Sequence, residues 1–344
     1  MALAKVSAFF QGIRESLHDR FGDALPKVIG GVLLVYLLVI SILGIYWSFT
    51  PDPPETQYFQ QDTHSRVVGA ATTSALIDVA ETMLNKPGGF ISNDITPPGL
   101  FMDNMPAWEY GVLIQVRDLS RAMRESFSRS QSQSQEDVDL AKAEPRFNFS
   151  NNSWAIPASE SEYRQAIKHL KSYRDRLNDA KDPDAQFYSR ADNLRYWLTV
   201  VESRMGSLSQ RLSASVGRPR LNTDLANDPN ARQSTPASSE KRVKTPWLKI
   251  DDVFYEAKGS SWALMHFLKA VEVDFADVLK NKNATVSLRQ IIRELEGTQQ
   301  SMYSPMILNG TGFGLLANHS LVMGSYISRA NAAIIDLRDL LSQG

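Results

Sequence analysis

The chain has 344 residues, 37 Lys plus Arg against 38 Asp plus Glu, and no cysteine. A net charge of −1 creates no global field that would gather nucleic acid or an acidic polymer, so no nucleic-acid partner is expected. The missing cysteine excludes disulfide scaffolds, zinc–thiolate sites, iron–sulfur clusters and thiol nucleophiles.

Residues 1–27 form a basic tail in which Leu3, Val6, Phe10, Ile13 and Leu17 fall on one helical stripe. This amphipathic helix suits either the inner membrane surface or a small docking partner. Residues 28–49 then carry no charge, and at 1.5 Å per residue such a run spans a hydrocarbon core of roughly 30 Å. Lys27 and Val28 mark the start of this transmembrane helix; Tyr46, Trp47 and Phe49 mark its outer end, where amphipathic rings favour the headgroup zone. Pro51, Pro53 and Pro54 forbid the helix to continue. Lys5, Arg14, Arg20 and Lys27 precede the span and the first basic residue after it is Arg66, which predicts a cytoplasmic N-terminus and an external C-terminal domain. The apolar run is too long for a cleavable leader and no small-x-small cleavage site follows it.

An extended linker is expected over 50–66, and a first helical region over 67–217. Its first helix, about 67–85, has an apolar side of Leu76, Ile77, Ala80, Met83 and Leu84, and Lys86-Pro87-Gly88-Gly89 stops it. The stretch 90–106 mixes Pro97, Pro98, Gly99 and Pro106 with many apolar residues and reads as a loop packed onto something. A helix over about 107–127 follows, dissolving into the Ser/Gln run 126–135. Ser159 and Glu162 have capping-box spacing ahead of a heptad seam of Tyr163, Ala166, Leu170, Tyr173, Leu177 and Ala180. Asp182-Pro183 restarts a second seam, Phe187, Ala191, Leu194, Leu198, Val201, Met205, Leu208 and Leu212, closed by Gly217 and Pro219. So short a connection predicts that the two helices form an antiparallel hairpin. A polar linker over 218–247 leads to a second helical region, 248–344, expected to pack on the first through seams at 264–278, 288–295 and 323–341. No segment offers a period-two strand pattern, and the fold class predicted is all-α: a single N-terminal transmembrane helix, then an extracytoplasmic bundle with long antiparallel hairpins.

Chemistry is sparse. His18, His64, His169, His266 and His319 stand too far apart in sequence for a helical metal motif, so neither a metal nor a cofactor is expected. His266, between Met265 and Phe267, reads as a core histidine rather than a base, and His319 as a residue at a helix start. The glycine-rich run 309–314 lacks the Lys-Ser/Thr of a phosphate cradle and reads as a turn. Asp94, Asp103 and Glu109 bracket the apolar loop beside Trp108 and are the catalytic candidates, as a two-carboxylate cleft of the kind used on glycans; the competing roles are turn and helix caps. Arg164, Lys168, Lys171, Arg174 and Arg176 form a basic face for anionic lipid, a partner's acidic surface or simply solvent.

The basic tail, the span ending Tyr-Trp-Ser-Phe-Thr-Pro, the motif Leu-Asn-Lys-Pro-Gly-Gly-Phe-Ile-Ser-Asn-Asp over 84–94 and the Pro-Pro-Gly-Leu after it resemble a proteobacterial family of single-pass inner-membrane proteins with a domain of unknown function. The resemblance covers nearly the whole chain, implies a periplasmic domain and carries no catalytic residues. The expected role is a membrane-anchored interaction or scaffold protein of the cell envelope, in contact with the bilayer through its anchor and with an envelope protein partner. Its heptad seams also permit a homo-oligomer. The competing classes are a periplasmic enzyme acting on peptidoglycan or lipid through the loop carboxylates, and a ligand-sensing domain that signals through a separate transducer.

Overall fold

The computed structural model describes residues 24–52, 67–130, 135–179, 184–221, 240–300, 304, 306–310 and 317–343. The amphipathic tail and the glycine-rich stretch 311–316 lie outside them, as does most of the expected linker 50–66. The protein is an all-α bundle preceded by one apolar helix, α1 (Ala24–Trp47), of which Lys27–Trp47 is long and apolar enough to cross a membrane and has no fully buried residue, the rest of the chain touching it near its C-terminal end.

The bundle is built on a parallel pair. Helix α2 (Ala70–Asn85) is followed by the loop and by α3 (Asn104–Ala122), which runs on through a π turn at Met123–Phe127. Helix α7 (Ile250–Asp274) lies along α3 with both helices starting at the same end, as the neighbouring charges of Asp103 and Asp251 at one end and the Phe127–Phe275 ring contact (5.4 Å) at the other show. The pair touches backbone to backbone. A Cβ on Gly111 would lie 2.1 Å from the carbonyl oxygen of Glu256, and one on Gly259 would lie 2.1 Å from that of Trp108. Glycine is therefore required at this crossing, and the closeness lets Trp108 and Trp262 meet at 5.2 Å and Gln115 Nε2 donate to Ser260 Oγ at 2.8 Å.

Around that pair stand α4 (Leu140–Phe147), α5 (Ser159–Leu177), α6 (Ala191–Ser213), α8 (Ala276–Asn281), α9 (Thr285–Gly297) and α10 (His319–Ser342). The two heptad helices α5 and α6 do bury their seams, but not as the expected hairpin. Helix α5 packs on α2 and α4, whereas α6 lies antiparallel on α10, with Leu212 against Gly324 and Glu202 paired to Arg338. The cause lies in the connection: residues 184–190 are not helical, so α6 starts at Ala191 and Phe187 becomes a loop wedge among Phe127 and Phe275, 5.3 and 5.8 Å away. The expected capping box is likewise absent. Ser159 is the first residue of α5, and its hydroxyl accepts from Ser153 N and donates to the Ser150 carbonyl, tying down the preceding loop.

The polar connection contains structure the sequence did not suggest. Strands β1 (Arg218–Leu221) and β2 (Glu240–Val243) pair antiparallel, from Arg218 opposite Val243 to Leu221 opposite Glu240. Residues from both helical regions merge into one apolar core, so the connection joins two parts of a single body.

Candidate functional site at the end that receives α1

The loop between α2 and α3 is shaped by its glycines. Gly88 and Gly89 take φ of +86° and +72°, which side-chain-bearing residues rarely adopt, and the chain turns back on itself. The turn brings Lys86 inside, where its ammonium donates to the Gly89 carbonyl and to Glu109 Oε1. Glu109 lies on the inward face of α3, fully buried, and its other donors come from the loop: Ile91 N to Oε1 and Ser92 N to Oε2, each at 2.8 Å, and Ser92 Oγ to Oε2. Burial pushes this carboxyl above the ordinary glutamate value, opposed by the Lys86 charge and by the Ser92 and Ile91 donors. Both oxygens are engaged and shielded from solvent. Glu109 staples the loop to the bundle.

Asp94 and Asp103 occupy different surroundings. The Asp94 carboxyl sits against Gly99, where a Cβ would come within 2.1 Å of Oδ2, and is pushed up by burial and by nearby Glu160, against the pull of Lys86. Asp103 caps α3 by accepting from Asn104 N at 2.9 Å, exposed, with its charge close to those of Lys249 and Asp251 at the head of α7. The three candidates are thus dispersed: one is buried beneath the loop, one faces α5 and one faces α7. The carboxylate that the fold brings to Asp94 is Glu160, in the first turn of α5, itself hydrogen-bonded by Asn93 Nδ2 at 2.7 Å. A sequence signal for the Glu109 staple did exist. Glu109 shares the apolar face of Met105, Trp108, Val112 and Val116, and a carboxylate there needs a buried cation such as the lysine ahead of Gly-Gly.

The same loop receives the end of α1. A Cβ on Gly88 would come within 2.7 Å of the Trp47 ring, and one on Gly44 would lie 3.6 Å from Pro98 Cβ. Trp47 is half-buried against the core in consequence, whereas Val28, Tyr46 and Phe49 are exposed, as is Lys27. Just beyond, Asp52 carries its charge close to Lys258 of α7, whose burial pulls its pKa down against that attraction.

At the opposite end, Arg176 at the close of α5 is held by three carboxylates: Asp137 at 2.7 Å, Asp139 at 2.9 Å and Asp184 at 3.0 Å. Arg176, Asp137 and Asp184 line a polar cavity of about 290 Å³ with Ser128, Ser130 and Glu136. For Asp139, burial acts upward but hydrogen bonds from His169, Ser172 and Arg176 and the Arg176 charge outweigh it, holding the carboxyl below its ordinary value. Of the expected basic face, Lys171 is paired with Glu81 at 2.6 Å, while Arg164 and Lys168 line an open groove of about 310 Å³ with Leu84 and Ile167. His266 is buried with its ring edge-on to Trp262 at 4.7 Å, and burial lowers its pKa to about 3. His319 opens α10, its Nδ1 accepting from Leu308 N at 3.0 Å. Among the described residues, no group of three His, Asp or Glu side chains is placed to hold a metal ion.

Compared with known proteins, residues 22–344 match the model of a family described as uncharacterized proteins conserved in bacteria (DUF2333). Neither a curated protein nor a solved structure matches the chain.

Proposed function

The chain belongs to this bacterial family, and from that premise we propose that it is a single-pass protein of the proteobacterial inner membrane whose periplasmic helical domain is an interaction or scaffold module for an envelope partner. The carrying observation is the joint between α1 and the bundle, where Trp47 rests on Gly88 and Gly44 on Pro98. An anchor packed into its domain holds that domain's surfaces at a set height above the bilayer, which suits a presenting scaffold. The excess of Lys and Arg before the span supports a cytoplasmic N-terminus. The groove of Arg164 and Lys168 offers a positive, part-apolar surface to an acidic partner segment.

The test is crosslinking in intact cells followed by purification in a gentle detergent. A reproducible envelope protein at near-equal amount, lost on Arg164→Glu plus Lys168→Glu, supports the scaffold reading; recovery of the chain alone overturns it. A second reading, a hydrolase acting on peptidoglycan or lipid, draws on the Asp94–Glu160 pair, in which one carboxyl is raised beside another. Turnover of such a substrate that Asp94→Asn and Glu160→Gln each abolish without unfolding would favour it.

A further inference from the structure

The loops surrounding the outer end of α1 carry large apolar side chains turned outward. Phe101 and Trp247 are 75% and 77% exposed and Ile156 is fully exposed; Leu100, Trp154 and Leu248 are also mostly uncovered. They come from three loops that the fold gathers at one end. Leu100 and Phe101 form the 3-10 turn after Pro98. Trp154 and Ile156 lie in the loop that Asn93 Nδ2 holds through the Ser153 carbonyl at 2.8 Å. Trp247 and Leu248 precede α7, where the charges of Lys249 and Asp251 lie near that of Asp103, two residues beyond Phe101. At the opposite end, the exposed apolar side chains include the smaller valines Val67, Val68, Val138 and Val286, and among the described residues no aromatic ring there is as exposed as Phe101 or Trp247.

The depth of these loops follows from α1. The stretch Lys27–Trp47 has 21 residues, and at 1.5 Å each it is about 31 Å long, close to the hydrocarbon thickness of roughly 30 Å. Gly44 is three residues below Trp47, about 4.5 Å towards the bilayer centre. Pro98 packs beside Gly44, so it shares that depth, at the outer rim of the hydrocarbon.

We infer that this collar, centred on Phe101, Ile156, Trp247 and Leu248, is seated in the outer leaflet of the bilayer, making a lipid surface the partner of the bundle's lower face. Aromatic and long aliphatic side chains on a rigid rim are the chemistry that partitions to the headgroup–acyl boundary. The inference rests on α1 being a membrane span, and it adds that the domain stands in the membrane through three further loops.

The cysteine-free chain makes the test direct. Full-length protein is reconstituted into liposomes with single spin labels at Phe101→Cys, Ile156→Cys and Leu248→Cys, with Leu37→Cys as mid-span reference and Val286→Cys as the reference at the far end. Collision with lipid-soluble oxygen is compared with collision with a water-soluble nickel chelate. The ratio of oxygen to nickel collision at the three collar sites is expected to exceed that at Val286→Cys several-fold and to fall below that at Leu37→Cys. Collar ratios equal to that at Val286→Cys, with Leu37→Cys in lipid, overturn the collar and leave the anchor intact. A water-exposed Leu37→Cys overturns the anchor itself. Shielding from both reagents with spin–spin broadening would mean that a second copy covers the rim, which also overturns the inference.

Discussion

The two ends of the bundle each hold an ion-pair cluster, and they use it in opposite ways. At the end that receives α1, Lys86 and Glu109 are sealed from solvent, and Ser92 and the backbone satisfy what the lysine leaves open. At the far end Arg176 shares its guanidinium among three aspartates at the rim of an open polar cavity. The sealed pair fixes a loop whose outer surface is apolar, so polar groups that water would otherwise satisfy find their partners inside. The open cage covers most of Asp137 and Asp139 but leaves Arg176 and Asp184 in part exposed to water. Burial, rather than the number of charges, sets what each cluster can contribute, because removing one member of a sealed pair strands its partner whereas water can replace a member of an open one.

Lys86→Met should therefore show the largest effect, a loss of about 3–5 kcal/mol in chemical denaturation, because Glu109 is left charged and buried. Part of that loss should return in Lys86→Met combined with Glu109→Gln; an additive result would mean that the two groups do not act as a pair. Gly259→Ala, which drives a methyl into the Trp108 carbonyl, should cost about 1–3 kcal/mol and loosen the parallel helix pair that joins the two ends. Arg176→Gln should cost less, about 1–2 kcal/mol in the urea midpoint, because solvent takes over part of its role.

Acid separates the ends by sign. The depressed Asp139 carboxyl contributes stability that is present above its ordinary value of 3.8 and lost as pH falls through the folded-state value, so Asp139→Asn should flatten the acid limb of the stability curve there. The raised Asp94 carboxyl contributes stability that is present below 3.8 and lost as pH rises through its folded-state value. Asp94→Asn should thus stabilise the protein at neutral pH by less than about 1 kcal/mol and lose that advantage in acid. The smallest change in stability is expected for Phe101→Ser and Trp247→Ser, within about 0.5 kcal/mol by thermal melting in detergent, because most of each side chain is uncovered within the described chain.

Much of the helical content was legible because it is local. The uncharged run 28–49, the glycine stop after Lys86 and the seams over 163–177, 194–212 and 323–341 each declare a buried or lipid-facing side within a single segment. The short helix α4 was not read, since Pro145 in its last turn breaks the expected pattern over its eight residues. The spacing starts α6 too early, because Phe187 continues the seven-residue repeat of the seam although it lies outside the helix. Of the catalytic candidates, the residue types are visible in the sequence but their company is not: Glu109 brackets the loop in sequence and is a buried staple in the fold.

The sequence by itself determined the apolar span and its charge asymmetry, the all-α character and the faces that must be buried, because each rests on periodicity and composition within one stretch of chain. Only the tertiary structure decided what those faces meet. A heptad seam states that a side is apolar and leaves its partner open, so α5 and α6 could part company and α6 could close on α10. A helical glycine is silent until the backbone it admits is known, and Gly111 and Gly259 are admitted to each other's helices across a fold that joins residues 145 positions apart at Gln115 and Ser260. The same holds for the collar, where three loops distant in sequence share a rim because the bundle brings them to the end at which α1 arrives.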